Sequence, residues 1–129
     1  MTTKTTQTER RGSDVSERMM EHTSNCILIG ASLPEDRAGA HLAEHLLKTS
    51  TEAYLHHAAA EGSPSAKEFA EKFRDALKAL RMNRRILLLL EKTAIPCNGQ
   101  AVRSGLEEVD ILIRIFFSSI RTLENKAAA

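Results

Sequence analysis

The sequence predicts an all-α protein, an antiparallel up-down four-helix bundle. Apolar residues return at steps of three and four through most of its 129 residues. Glycine and proline are sparse and cluster where such segments would end. Aromatic residues make up only 4% and there is no Trp, so the core must come from Leu, Ile, Ala, Val and Met. The length suits one domain with a real core. Residues 13–125 are expected to form it, between a flexible arm over 1–12 and a frayed end over 126–129.

The first helix is expected over Asp14 to about Ser32, capped by Ser13 or Asp14. Its stripe is Val15, Met19, His22, Cys26, Ile29 and Leu33, and Leu33-Pro34 interrupts it. The second runs from near Glu35 to about Ala60 with a weaker seam of Gly39, Leu42, Leu46, Thr49, Ala53, His56 and Ala60. Gly62, Ser63 and Pro64 form the clearest break. Gly62 reads as a C-terminal cap, and Ser63 with Pro64 as one start for the next helix; Ser65 with Glu68 is an alternative capping box.

The third helix spans roughly Pro64 to Lys92, with Phe69, Phe73, Ala76, Leu80, Asn83, Leu87 and Leu90 in step. Asn83 is the polar member of this stripe, a residue type that can set register between helices. The run Ile86 to Leu90 is apolar on several faces. One core cannot hide all of it, so it suggests deep packing or a subunit interface. Pro96, Asn98 and Gly99 break the chain again. The fourth helix, from about Gln100 to Asn125, keeps a strict alternation through Val102, Leu106, Val109, Ile113, Phe116, Ile120 and Leu123, widened by Leu112 and Phe117. Short connections favour antiparallel neighbours.

The formal net charge is +1, which neither demands nor excludes a nucleic-acid partner. Its distribution is uneven. The second helix is acidic, and the third carries a basic row of Arg74, Lys78, Arg81 and Arg85 at steps of four, three and four. Such a row either decorates a solvated surface or touches the phosphates of RNA or DNA. No zinc finger or glycine-rich phosphate loop accompanies it.

Candidate chemistry is thin. His41 and His45, with Glu44 before the second histidine, match the order of an inverted zinc-peptidase motif. A catalytic zinc needs a third ligand; His22 or Glu107 could be brought to it by the fold, but no spacing argues for either. Incidental histidines are the simpler reading, so no metal or other cofactor is predicted. His56 and His57 point to different sides of their helix, with His56 on the expected seam. No nucleophile, base and orienting group can be assembled, and the chain reads as a non-enzyme. Cys26 and Cys97 lack metal spacing and read as free thiols in a reducing compartment. The longest apolar run is too short to cross a bilayer, and no secretory pattern opens the chain, so cytoplasmic residence without a membrane partner is the default expectation. Tyr54, Leu88, Leu89, Leu112 and Phe117 are the expected oligomer interface.

Several stretches taken in order carry a family likeness: Arg37-Ala38-Gly39 with His41-Leu42-Ala43 and Leu46-Leu47, Lys48 to Glu61, Ser65-Ala66-Lys67-Glu68-Phe69, Ala76-Leu77-Lys78-Ala79-Leu80-Arg81, and Leu106-Glu107-Glu108 with the apolar end of the last helix. Over roughly residues 13–125 the chain resembles the small four-helix-bundle proteins related to those encoded in intervening sequences of bacterial 23S ribosomal RNA genes, and the accessory proteins of diversity-generating retroelements. The resemblance implies a ring-shaped homo-oligomer, typically a pentamer. For the retroelement relatives it also implies binding to nucleic acid and to a reverse transcriptase. It implies no catalytic residue. The chain departs from that pattern over Ala53 to Ala59, where a small-Asn-apolar stretch followed by acids is usual, and at Ala79 and Met82, where Glu is usual.

Overall fold

The computed structural model describes residues 7–128, with side chains over 14–126. It contains four helices: α1 (Gln7–Ser32), α2 (Arg37–Glu61), α3 (Ala66–Lys92) and α4 (Gly99–Ala128). Of the expected arm, residues 1–6 lie outside the described residues, and 7–12 belong to α1. The helix thus begins seven residues before Asp14. Upstream of Val15 the sequence has no apolar period to announce a helix, although Gln, Glu and Arg are good helix formers. At the other end, α4 continues past Asn125 to Ala128, and residue 129 lies outside the described residues.

Local chemistry sets the remaining ends. Asp36 caps α2, its Oδ1 accepting from the Gly39 amide at 2.8 Å. Ser65 rather than Ser63 caps α3, accepting from the Glu68 amide at 3.2 Å. Ser63 is held instead by the end of α2, where its hydroxyl donates to the Ala59 carbonyl. Gly62 closes α2 with φ of −91°, so its role there needs no left-handed backbone. Asn98 accepts from the Ala101 amide at 3.1 Å and starts α4.

Each helix packs on two others: α2 with α1 and α3, and α4 with α3 and α1, with none across the diagonals in backbone contact. Cross-helix bonds give the directions. Ser16 near the start of α1 reaches Glu61 at the end of α2, and Arg18 of α1 reaches Glu108 of α4. Arg74 early in α3 pairs with Glu124 late in α4, and Arg84 pairs with Asp110. All neighbours therefore run antiparallel. The expected stripes supply the core: Met19, Cys26, Ile29, Leu46, Leu80, Leu87, Leu90, Val102, Val109 and Phe116 are almost wholly buried. Phe73 stacks on Phe116 at 4.4 Å between ring centroids, and on Phe69 at 4.7 Å.

The α2 seam differs from expectation by one residue. His57, not His56, turns inward and lies between Phe73 and Phe116, with centroids 5.8 and 5.6 Å away. From Ala53 to Ala60 the helix can step by three then four or by four then three, and both keep the stripe within one face. Only the position of the two phenyl rings selects the second.

Candidate functional site

Three features stand out from the packed core: a buried polar node, a basic seam, and an apolar outer face.

The node sits where α1, α2 and α3 converge. Asn83 turns its Nδ2 toward Thr49 Oγ1 at 3.1 Å, which leaves Oδ1 facing His22 Nε2 at 2.7 Å. A carbonyl only accepts, so His22 carries its proton on Nε2. The Thr49 hydroxyl in turn donates to the His45 carbonyl at 2.8 Å. Cys26 Sγ lies 3.6 Å from His22 Nε2, and Asn83 Nδ2 reaches it at 3.7 Å. Beside the node, Thr23 donates to the Ser50 carbonyl. His22 Nδ1 is buried with no hydrogen-bond partner among the described residues. Burial holds the His22 pKa below its ordinary value, partly offset by Asn83 and by the Glu108 charge. Burial likewise pushes the Cys26 thiol up to about 11, so it is neutral and unreactive near pH 7. The sequence marked Asn83 as polar within its stripe, but not its partners. Those depend on which turns of antiparallel helices share a height.

The basic seam is the outer side of α3 and α4. Arg74, Lys78, Arg81 and Arg85 are all exposed, as expected. Arg74 pairs with Glu124 at 3.4 Å, whereas Lys78, Arg81 and Arg85 have no ion-pair partner among the described residues. Arg84 pairs with Asp110 at 2.6 Å within the chain. Arg81, Arg84, Arg85, Asp110 and Ile113 line a shallow depression. α4 adds a basic contribution that was not among the expectations: Arg114 and Arg121 are seven residues apart and both exposed, Arg114 beside a depression shared with Asp14 and Val15 of α1, and Arg121 standing 6.0 Å from the centroid of the Phe117 ring. Their seven-residue spacing was a readable signal.

The charge partition is wider than two helices. Residues 14–61 carry eight acids and three bases, a net −5, while residues 62–126 carry twelve bases and eight acids, a net +4.

The expected oligomer residues separate in space. Leu112 is wholly buried, which removes it from any interface: it belongs to the core face of α4, where the apolar arc is wider than one stripe. Tyr54 and Leu88 are partly buried against the core. Leu89 and Phe117 are exposed on α3 and α4. Five other large apolar side chains are exposed on the first hairpin: Met20, Ile27 and Leu28 on α1, Leu47 and Leu55 on α2. Leu28 is 69% exposed and Leu55 62%.

The two histidines of the metal-like motif do approach each other, with His41 and His45 ring centroids 4.6 Å apart. Neither expected third ligand joins them. His22 is committed to Asn83, and Glu107 is exposed on α4, whose backbone makes no contact with that of α2. Among the described residues no group of three or more His, Cys, Asp or Glu is placed to hold a metal ion. Cys26 and Cys97 are both free thiols. No helix among the described residues is long and apolar enough to cross a membrane.

These features define a four-helix-bundle protein with a polar node in its core and two chemically distinct flanks. Neither a family model nor a curated protein matches the sequence. The chain is similar in structure to a protein of unknown function from the S23 ribosomal protein family from Bacteroides thetaiotaomicron. The two share 19% identity and a TM-score of 0.74, over 82% of this chain and 97% of the other. At that identity the likeness establishes the fold.

Proposed function

We propose that the protein is a non-enzymatic scaffold that self-associates through the outer face of its first hairpin. The observation that carries this reading is that five large apolar side chains of one hairpin, Met20, Ile27, Leu28, Leu47 and Leu55, are exposed on α1 and α2. Large apolar side chains left exposed in such number on one hairpin are the material of an interaction site. A cyclic assembly, such as the homopentamer implied by the family resemblance, would cover this face in every copy. Sedimentation velocity across a concentration series tests it. Wild type is expected to sediment as an oligomer, and the double variant L28E/L55E as a monomer of unchanged helix content. A wild-type monomer at the highest soluble concentration overturns the reading.

A second reading concerns the opposite flank. Three exposed cations without acidic partners among the described residues, Lys78, Arg81 and Arg85, favour contact with nucleic-acid phosphates. On this reading the scaffold presents its α3–α4 seam to RNA or DNA, and a reverse transcriptase is one candidate protein partner. Binding to labelled oligonucleotides at low salt is expected to fall when the three cations are replaced together by alanine. Absence of binding to any nucleic acid at low salt overturns it.

A further inference from the structure

Resting on that second reading, we infer that the α3–α4 seam selects single-stranded nucleic acid, with Phe117 as a platform on which one unpaired base stacks. Asp110, Phe117 and Glu124 are spaced by seven along α4 and so lie on one line beside α3. The first and last of these make the ion pairs with Arg84 and Arg74. Phe117 sits midway between them, 45% exposed. The stretch of α3 between the paired arginines carries Lys78 and Arg81, both exposed. On α4 itself, the Arg121 guanidinium is 6.0 Å from the centroid of the ring.

An apolar protein surface docking on Phe117 would have to desolvate the neighbouring cations Lys78, Arg81 and Arg121, at high cost. A single strand meets both demands: its phosphates lie against the cations while a base covers the ring. The row from Arg74 to Arg85 extends about 16 Å along the helix axis, enough for several phosphates. A duplex meets only the charge. Its bases are already stacked on one another and cannot reach the ring without opening. An acidic peptide also meets the charge, but has no flat group to cover the phenyl face.

The test is fluorescence anisotropy with an oligothymidylate, a hairpin duplex of equal charge, and polyglutamate, on the full chain. F117A is expected to weaken single-strand binding about 5- to 100-fold, leaving duplex binding within about twofold and the salt slope unchanged. F117W should restore binding, and F117L should not, because stacking requires a flat ring. K78A/R81A/R85A should weaken both nucleic acids and lower the salt slope for the single strand by about 2. Equal losses for strand and duplex in F117A, no loss at all, or full binding by F117L would each overturn stacking while leaving the nucleic-acid reading intact. Binding to no nucleic acid, or polyglutamate binding as tightly as the single strand, overturns both. Phe117 is surface-exposed, so circular dichroism should give an unchanged helix signal; a loss of binding that tracks a change in sedimentation coefficient also overturns stacking.

Discussion

His22 is the residue with most at stake in the core. Its Nε2–H is satisfied by Asn83, but a second proton on Nδ1 would have no acceptor among the described residues. The groups facing it are Cys26 on its own helix, Thr49 on α2, Asn83 on α3 and, at longer range, Glu108 on α4, which is already held by Arg18 at 3.1 Å. Burial lowers the pKa of His22, and it lowers that of His57 against a smaller opposing effect of Glu61. The unfolded chain therefore binds these protons more tightly than the folded one. Stability is full above the unfolded histidine pKa of about 6.5 and falls as the pH drops below it toward the lower folded values. Urea titrations should show a lower unfolding midpoint at about pH 5 than at about pH 7.5. The double variant H22Q/H57Q, which keeps amide donors but cannot titrate in this range, should flatten that dependence. An equally steep loss in the double variant would assign acid sensitivity elsewhere. None of this was visible in the chain as written: His22 appeared only as one polar entrant in an apolar stripe. Its unpaired nitrogen follows from the depth of its site and from where Asn83 points.

Among the elements, α2 depends most on its surroundings. Its buried residues are mainly small or polar: Gly39, Thr49, Ser50, Ala53 and Ala60 with Leu46 and His57. It therefore gains little from burying large side chains and relies on close approach. Gly39 makes that approach at the entry to the helix. A Cβ there would collide with the carbonyl of Pro34 and stand 3.1 Å from Asp36 Oδ1, the capping atom. Gly99, at the start of α4, has open space around it. Accordingly G39A should destabilise the protein by about 1–3 kcal/mol, and G99A should be neutral or stabilising by a few tenths up to about 1 kcal/mol. Denaturant melts of the two variants check the contrast, and equal effects would refute it. The legibility of the four helices follows the same physics. The strict alternation from Val102 to Leu123 fixes α4 because large apolar side chains recur on one face, and five of the seven are buried, Ile113 and Leu123 being partly so. In α2 the period points to His56 where the fold buries His57, because alanine on either side does not discriminate between neighbouring faces. Ser63 and Ser65 both offered caps, and only the path of the turn chose Ser65.

In the whole molecule, the four seams are not equally closed. The backbones of α2 and α3 are the most intimately packed and those of α1 and α4 the least. The α1–α4 seam includes two polar straps, Arg18 to Glu108 and Asn25 Nδ2 to the Ala101 carbonyl at 3.1 Å. Partly exposed ion pairs of this kind contribute at most about 1 kcal/mol. Local opening should start where packing is lightest. Native-state hydrogen exchange is expected to show amides of α1 exchanging through smaller openings than those in the middle of α3. Uniform protection across the four helices would count against a weak seam. Whole-molecule organisation was partly readable in advance: antiparallel order followed from short connections, and the basic row of α3 from its spacing. The matching arginines of α4 and the exposed leucines of α1 and α2 emerge only when the helices are set side by side, since exposure is a property of the packed bundle.

The opposite net charges of the two hairpins have a consequence that the overall value of +1 conceals. Seen from a distance the molecule is nearly neutral, yet within a Debye length of about 10 Å at 0.1 M salt it presents two poles. A polyanion drifting past exerts a torque before it makes any contact, turning the arginine-rich side inward and the glutamate-rich side away. Encounters are thus sorted by orientation as well as by frequency, and added salt should erase that sorting before it disturbs a single buried side chain.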